Sequence, residues 1–409
     1  MYLGIDIGTS GVKAILLGAD GHVRAQATAA LTVSRPRETW SEQDPEDWLA
    51  ATESAVCRLP PDLRARVQGV GLAGQMHGAT LLGGDDRPLR PAILWNDGRS
   101  LAECAALEVA VPDLCRITGN LAMPGFTAPK LQWVRVHEPE IFAEIETVLL
   151  PKDYVRLRIT GDKASDMSDS AGTLWLDVAA RDWSDAMLDA TGLSRRHMPR
   201  LCEGTQATGR LRADVAARWG KDRVPVAAGA GDNAAAAVGG GVVSDGGALL
   251  SLGTSGVIFV ATDGFRPNPA RAVHSFCHAL PDMWHQMSVH LSAASCIDWA
   301  AKLTGMDVPT GHQGRKDPFP VLLRVKKEAI LPNRYRTDVR ECFLVASGWG
   351  DLSSERAYVR AERLSCIRDD GKALESRIEM YAVGEDGKAG IRGRVVNKTG
   401  ALLGRALIA

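Results

Sequence analysis

The chain opens with short apolar runs separated by glycine-containing turns. Tyr2 to Gly8 is apolar, Thr9-Ser10-Gly11 turns, Val12 to Gly18 is apolar again, and after Ala19-Asp20-Gly21 a third run covers Val23 to Ala30. That spacing predicts three strands in an antiparallel meander. Asp44-Pro45-Glu46-Asp47 reads as a helix start, with an N-cap aspartate and Pro in the first turn, and the helix is expected to run to about Leu59. Val67 to Gln75 reads as a buried strand. Three strands, a helix and a strand predict an α/β domain built on a hairpin sheet, since a doubly wound sheet alternates from the start. From about Asp97 to Arg223 the periods are helical, broken by Gly and Pro. Pro139-Glu140 opens one such helix, with Ile141, Ile145 and Leu149 spaced four apart. A second strand-turn-helix unit is expected from Val224 to Ala237, around Gly229-Ala230-Gly231-Asp232-Asn233.

After Gly239-Gly240-Gly241 a tetrapeptide recurs. Gly253-Thr254-Ser255-Gly256 sits between the apolar runs Ala248 to Leu252 and Val257 to Val260, as Gly8-Thr9-Ser10-Gly11 does between its own. Two matched hairpins suggest a duplicated domain. The expected division is residues 1–241 as the first domain and 242–306 as the start of the second. Past Met306 the text changes, with 19 Lys and Arg against 14 Asp and Glu from Asp307 to Ala409, in a chain whose whole net charge is −1. Strand and helix periods are hard to find there. Residues 307–409 are therefore expected to be an aberrant basic tail, arising from a frameshift or fusion near Met306.

Composition narrows the classes. A chain of 409 residues predicts two or three domains. Near-neutral charge excludes a broadly basic nucleic-acid binder, and no apolar run reaches the roughly 18 residues that span a bilayer. The first residues enter a strand pattern at once, unlike a signal peptide. Eight cysteines are scattered without CxxC or zinc-type spacing, which reads as reduced thiols and predicts a cytoplasmic protein.

Glycine lets backbone N–H groups approach an anion closely, and hydroxyls add donors. Gly8, Thr9 and Ser10, with Gly253, Thr254 and Ser255, are thus candidate phosphate-facing positions, against the bland reading of two ordinary turns. Asp6, at the end of the first strand, could hold Mg²⁺ beside a phosphate chain; otherwise it is a surface or capping aspartate. Asp232 could accept a proton from a hydroxyl nucleophile, or simply cap the Ala-rich helix that follows. Gln75-Met76-His77-Gly78 and Trp95-Asn96-Asp97-Gly98-Arg99 bring amide, imidazole, indole and charged groups that suit a polyhydroxylated ligand. A lone His at a strand end is more often structural.

These motifs, in this order, resemble the FGGY carbohydrate kinases: Asp6 to Ser10, Gly74 to Gly78, Trp95 to Arg99, Gly231-Asp232-Asn233 and Ser251 to Ser255. Leu149 to Tyr154, Ser165 to Asp169 and His274 to His278 extend the likeness, which covers residues 1 to about 305. The resemblance implies actin-like (ribonuclease-H-like) duplicated α/β domains closing on sugar and ATP, the second of them incomplete or aberrant here. It implies transfer of the ATP γ-phosphoryl group to the 5-hydroxyl of D-xylulose, with a related ketose such as ribulose left open. By motif position Asp232 would be the catalytic base. Gln75, Met76, His77, Trp95, Asp97 and Arg99 would line the sugar, Asp6 would support Mg²⁺, and the two hairpins would face the phosphates of ATP. The family's Gly-Glu-Arg-Thr-Pro stretch and adenine-binding Gly-Gly-Gly turn are not intact after Asp307. Ser354-Glu355-Arg356 is a partial echo followed by Ala357-Tyr358.

Two rival classes stay open. One is a sugar-binding or regulatory remnant without phosphoryl transfer; the other is an actin-like assembly ATPase, against which the sugar-type motifs argue. Expected partners are a small ketose and ATP, with no nucleic acid and no membrane. No heptad signature settles the oligomeric state, and a homodimer is one reading of it.

Overall fold

The computed structural model describes residues 1–252, 256–290, 319–325, 339–351, 354–368, 373–381 and 390–392. The chain packs as two units, Met1–Leu249 with Phe259–Met287, and Leu250–Ile258 with Ser288–Ala409. The segment 242–306, expected to open a second domain, is divided between these units.

The first unit is built on a seven-stranded sheet. Tyr2–Ile7 runs antiparallel to Gly11–Leu17, and that strand antiparallel to Val23–Ala30, so the meander forms as its turns predict. On its other side Tyr2–Ile7 lies parallel to Gly69–Gly74. Pro225–Ala227 and Ala230–Gly231 both run parallel to Gly69–Gly74, and Ala207–Arg210 closes that edge antiparallel to Pro225–Ala227. A meander continued by parallel strands is the ribonuclease-H-like, actin-like arrangement.

Alternation sets which side chains enter the core. Val12, Ala14 and Leu16 of Gly11–Leu17 are buried while Lys13 is exposed. The helix Pro45–Cys57 begins where its cap dictates: Asp44 accepts a hydrogen bond from the Glu46 amide at 2.9 Å. Its inner face brings Trp48, Ala55 and Val56 against Leu3, Ile5, Ile7 and Leu72, with Tyr154, Val155 and Trp219 completing the core.

One expected helix is shorter than its spacing suggests. Pro139–Ala143 is helical, but Leu149 lies in the strand Thr147–Leu149, which pairs antiparallel with Thr80–Leu82. A separation of four satisfies both a helical and a two-residue period, and here the sheet partner decides between them.

The second unit contains strands in a stretch where periods are hard to find in the sequence. Its described strands Phe319–Val325, Val339–Asp351, Arg356–Arg368 and Ala373–Tyr381 form an antiparallel sheet in chain order, and Ile391–Arg392 pairs with Arg356–Arg368. The ladder shifts register between Val345 and Ala346 and again between Ala361 and Arg363. Each bulge flips the side-chain alternation, which hides the two-residue period from a linear reading. Among the described residues no helix is long and apolar enough to cross a membrane.

Candidate active site

Parallel pairing gathers three strand ends of the first unit. Ile7 and Gly231 are both in register with Gly74, so Asp6 and Asp232 flank the end of the same central strand. Asp232 is the first residue of the helix Asp232–Gly239, and Gly231 holds the cap position. The capping alternative for Asp232 therefore does not describe it. One of its oxygens, Oδ1, accepts from the Asn233 amide at 2.7 Å and from Asn233 Nδ2 at 2.9 Å. Burial, and then the neighbouring Asp6 charge, push the Asp232 pKa up to about 7 despite those two hydrogen bonds. A carboxyl group tuned to that range suits proton acceptance near neutrality.

Asp6 is accessible to solvent, and its pKa is raised by burial against the opposing charge of Lys13. The surrounding protein mass restricts its hydration even though its side chain reaches open space. It forms no ion pair or side-chain hydrogen bond among the described residues. Magnesium favours one or two carboxylates plus waters and phosphate oxygens. Asp6 fits such a donor set, while no group of three or more His, Cys, Asp or Glu among the described residues forms a closed metal cage.

Met76 and His77 follow the central strand. His77 takes a left-handed backbone conformation with φ of 68°, unusual for a residue with a Cβ. Its carbonyl accepts from Lys130 Nζ at 2.8 Å and from Thr127 Oγ1 at 3.2 Å, and its Nδ1 is 2.6 Å from the Gly172 carbonyl. That contact makes Nδ1 the protonated nitrogen and leaves Nε2 as an acceptor. Burial, then the Lys130 charge, lower the imidazole pKa to about 3, so the ring is neutral. Two glycines make room for this pair. A Cβ on Gly172 would stand 2.5 Å from His77 Cε1, and one on Gly231 would stand 2.9 Å from Met76 Cγ.

Other expected residues are committed to the protein itself. The Thr9 hydroxyl donates to Gln75 Oε1 at 2.9 Å and accepts from Trp95 Nε1 at 3.0 Å. Gln75 Nε2 donates to Gln43 Oε1 at 3.0 Å, and Gln43 in turn donates to the Thr9 carbonyl at 2.7 Å. The network locks the first hairpin to the Gln75 and Trp95 loops. The Gly8 amide donates to the Gly11 carbonyl at 3.1 Å, while Ser10 is exposed. Asp97 and Arg99 are buried against each other, with Arg99 Nε and Nη2 at 2.9 and 2.7 Å from the Asp97 carboxylate. The Arg99 guanidinium also lies 2.7 Å from Glu42 and 3.7 Å from the Trp40 ring centroid. Asp97 and Arg99 thus form an internal brace for the loop. Gly253, Thr254 and Ser255 lie outside the described residues.

A buried charge cluster behind the site was not singled out for a role by its sequence pattern. Lys152 Nζ is 2.5 Å from Asp153, 2.7 Å from Asp166 and 3.2 Å from Asp169, all without solvent exposure. Burial pulls the Lys152 pKa down, but the three carboxylates outweigh it and hold the ammonium charged. Burial raises Asp169 well above the carboxylate range. The burial of Ser165, Asp166, Ser168 and Asp169 goes with the segment's pairing to Lys152. Lys152→Met should cost about 3–5 kcal/mol, the scale for leaving buried charges unpaired. Urea unfolding of the first unit measures it; a loss below about 1 kcal/mol would mean that the carboxyls simply take up protons instead.

Residues 1–239 match the FGGY family of carbohydrate kinases, N-terminal domain, and residues 294–409 match the bacterial conjugation TrbI-like protein. A xylulose kinase of Escherichia coli (strain K12) is 64% identical over 307 residues, which is 75% of this chain and 63% of that protein. A xylulose kinase of Bacillus subtilis (strain 168) is 40% identical over 302 residues, 73% of this chain and 60% of that protein. A solved xyloylose kinase from Brucella ovis is similar at a TM-score of 0.73 and 55% identity, covering 74% of this chain and 63% of the other. The chain thus spans less than two thirds of the length of these relatives.

Proposed function

Because the chain belongs to the FGGY family of carbohydrate kinases, we propose that its first unit binds D-xylulose and presents the 5-hydroxyl for phosphorylation by ATP. The observation that carries this reading is Asp232. It stands at a strand end beside Asp6, with a pKa of about 7 and one oxygen free of the Asn233 hydrogen bonds. In the proposed reaction Asp232 takes the hydroxyl proton as the oxygen attacks the γ-phosphorus, and ADP leaves. Met76 and the neutral His77 seat the sugar, with His77 Nε2 accepting from a sugar hydroxyl. Gln75, Trp95, Asp97 and Arg99 hold the walls around it. Asp6 would hold Mg²⁺, which when bound neutralises phosphate charge. Ser10 and the Gly8-Thr9 backbone would face phosphate, as would Gly253, Thr254 and Ser255.

The second reading is a sugar-binding protein that transfers phosphate poorly. It is favoured by the similarity of residues 294–409 to the conjugation protein, together with a likeness to the Escherichia coli xylulose kinase that covers 63% of that relative. On this reading 1–306 is kinase-derived and 307–409 is a joined module of other descent. Titration calorimetry of the full chain with D-xylulose, then with Mg-ATP, separates the two. Heat from both supports the kinase; heat from the sugar alone supports the binding protein. No heat from D-xylulose or other pentuloses overturns both.

A further inference from the structure

One five-residue helix, Met167–Ala171, links two parts of the site that are far apart in sequence. At its C-terminal end the Gly172 carbonyl holds His77 Nδ1 at 2.6 Å. At its start Ser168 Oγ accepts the Gly231 amide at 3.1 Å, and Gly231 is the residue before Asp232. Ser168 is 1% exposed, so no water competes for that hydrogen bond. Its own hydroxyl proton goes to Asp166 Oδ1 at 2.5 Å. Asp166 Oδ1 also caps the helix through the Ser168 and Asp169 amides, at 2.8 and 3.1 Å. Asp166 Oδ2 is tied to Lys152 Nζ at 2.7 Å. The hydroxyl therefore has one orientation, with its proton toward Asp166 and a lone pair toward Gly231.

Gly172 and Ser168 belong to the same short helical turn, so the contacts to His77 and to the Gly231 amide are carried by one piece of backbone pinned at its start by buried ions. We propose that Ser168 is a positioning residue that fixes the Asp232 carboxylate through the Gly231 amide and transmits sugar occupancy at His77 to Asp232. The proposal rests on the sugar-kinase reading above, in which His77 seats the ketose and Asp232 receives its proton. Ser168 touches neither sugar nor phosphate in this arrangement.

The test uses the full 409-residue chain, calorimetry with D-xylulose, and amide hydrogen exchange across residues 230–233 with and without saturating sugar. In the unmodified protein, sugar should slow exchange there by about tenfold, the scale of one hydrogen bond made more persistent. Ser168→Ala should keep D-xylulose affinity within about threefold but reduce the slowing to less than about twofold, since the connecting acceptor is gone. Ser168→Cys, similar in size and a weaker acceptor, should give an intermediate slowing, and it carries the test if the alanine variant does not fold. A merely structural Ser168 would alter affinity or thermal stability while leaving the sugar-dependent slowing intact, and that result overturns the proposal. Sugar binding without slowing in the unmodified protein overturns it as well. Failure of the unmodified chain to bind D-xylulose overturns the sugar-kinase reading itself, and the positioning role with it.

Discussion

Replacing Asp232 by Asn should lower ADP release by about 10²-fold or more, the usual scale for a lost general base. Affinity for D-xylulose should stay near that of the parent. The amide keeps the shape of the carboxyl and one oxygen for the Asn233 donors, which hold Asp232 Oδ1 at 2.7 and 2.9 Å. What it cannot do is accept the proton. The measurement is cleanest in a chimera where residues 1–305 continue into the second domain of the Escherichia coli relative, so that nucleotide binding does not limit the rate. The pH profile provides a second handle. With its pKa raised to about 7, Asp232 is protonated and inactive below that value and becomes a competent base above it. The parent's kcat/KM should therefore fall as pH drops through about 7, and this limb should be missing from the residual activity of the Asn variant. A near-parental rate, or the same acidic limb in both proteins, would remove Asp232 from the chemistry.

Much of the site's framework was legible in the sequence because it rests on local signals. Glycine turns set the meander and Asp44-Pro45 set a helix start. The pairing of Asp6 with Asp232 could be anticipated from the motif order, but its electrostatic consequence could not. It depends on Ile7 and Gly231 sharing Gly74 as a register partner across more than two hundred residues. Direction of side-chain commitment was also hidden. Thr9, Gln75, Asp97 and Arg99 are residue types that bind sugars and phosphates well, and the same donors and acceptors serve equally well to brace loops. Only the distances show that Thr9 gives its proton to Gln75 and that Arg99 is closed around Asp97 and Glu42. The seats of His77 and Met76 were missed for a related reason. They depend on the space left at Gly172 and Gly231, and a glycine needed for close approach looks in sequence like one needed for a turn.

The remaining prediction concerns the whole 409-residue chain, which should turn over D-xylulose at least about 10²-fold more slowly than the Escherichia coli relative. Phosphoryl transfer involves little covalent chemistry by the protein; it depends on holding the γ-phosphorus in line with the attacking oxygen and on stabilising charge there. Misplacing reacting groups by about 1 Å can cost on the order of 10²-fold. The first unit brings Asp6, Asp232, Met76 and His77 together, so sugar binding should survive. The nucleotide side is different. The likeness to the Escherichia coli relative covers 307 residues and 63% of that protein, whereas residues 294–409 here are similar to the bacterial conjugation TrbI-like protein. The described part of that stretch is a meander of long antiparallel strands, and the echo Ser354-Glu355-Arg356 runs from turn residues into the strand Arg356–Arg368, with Glu355 at φ 50°. Among the described residues of that stretch there are strands and no helix, so none of them forms a strand-to-helix glycine turn on which a purine could rest beside a helix N-terminus. ATP affinity should fall with turnover, while D-xylulose affinity should remain comparable to that of the relative. Coupled ADP release from both purified proteins, under the same conditions and with ATP varied, measures this. Equal turnover numbers would sink the prediction and show that residues 307–409 build a working nucleotide site of their own.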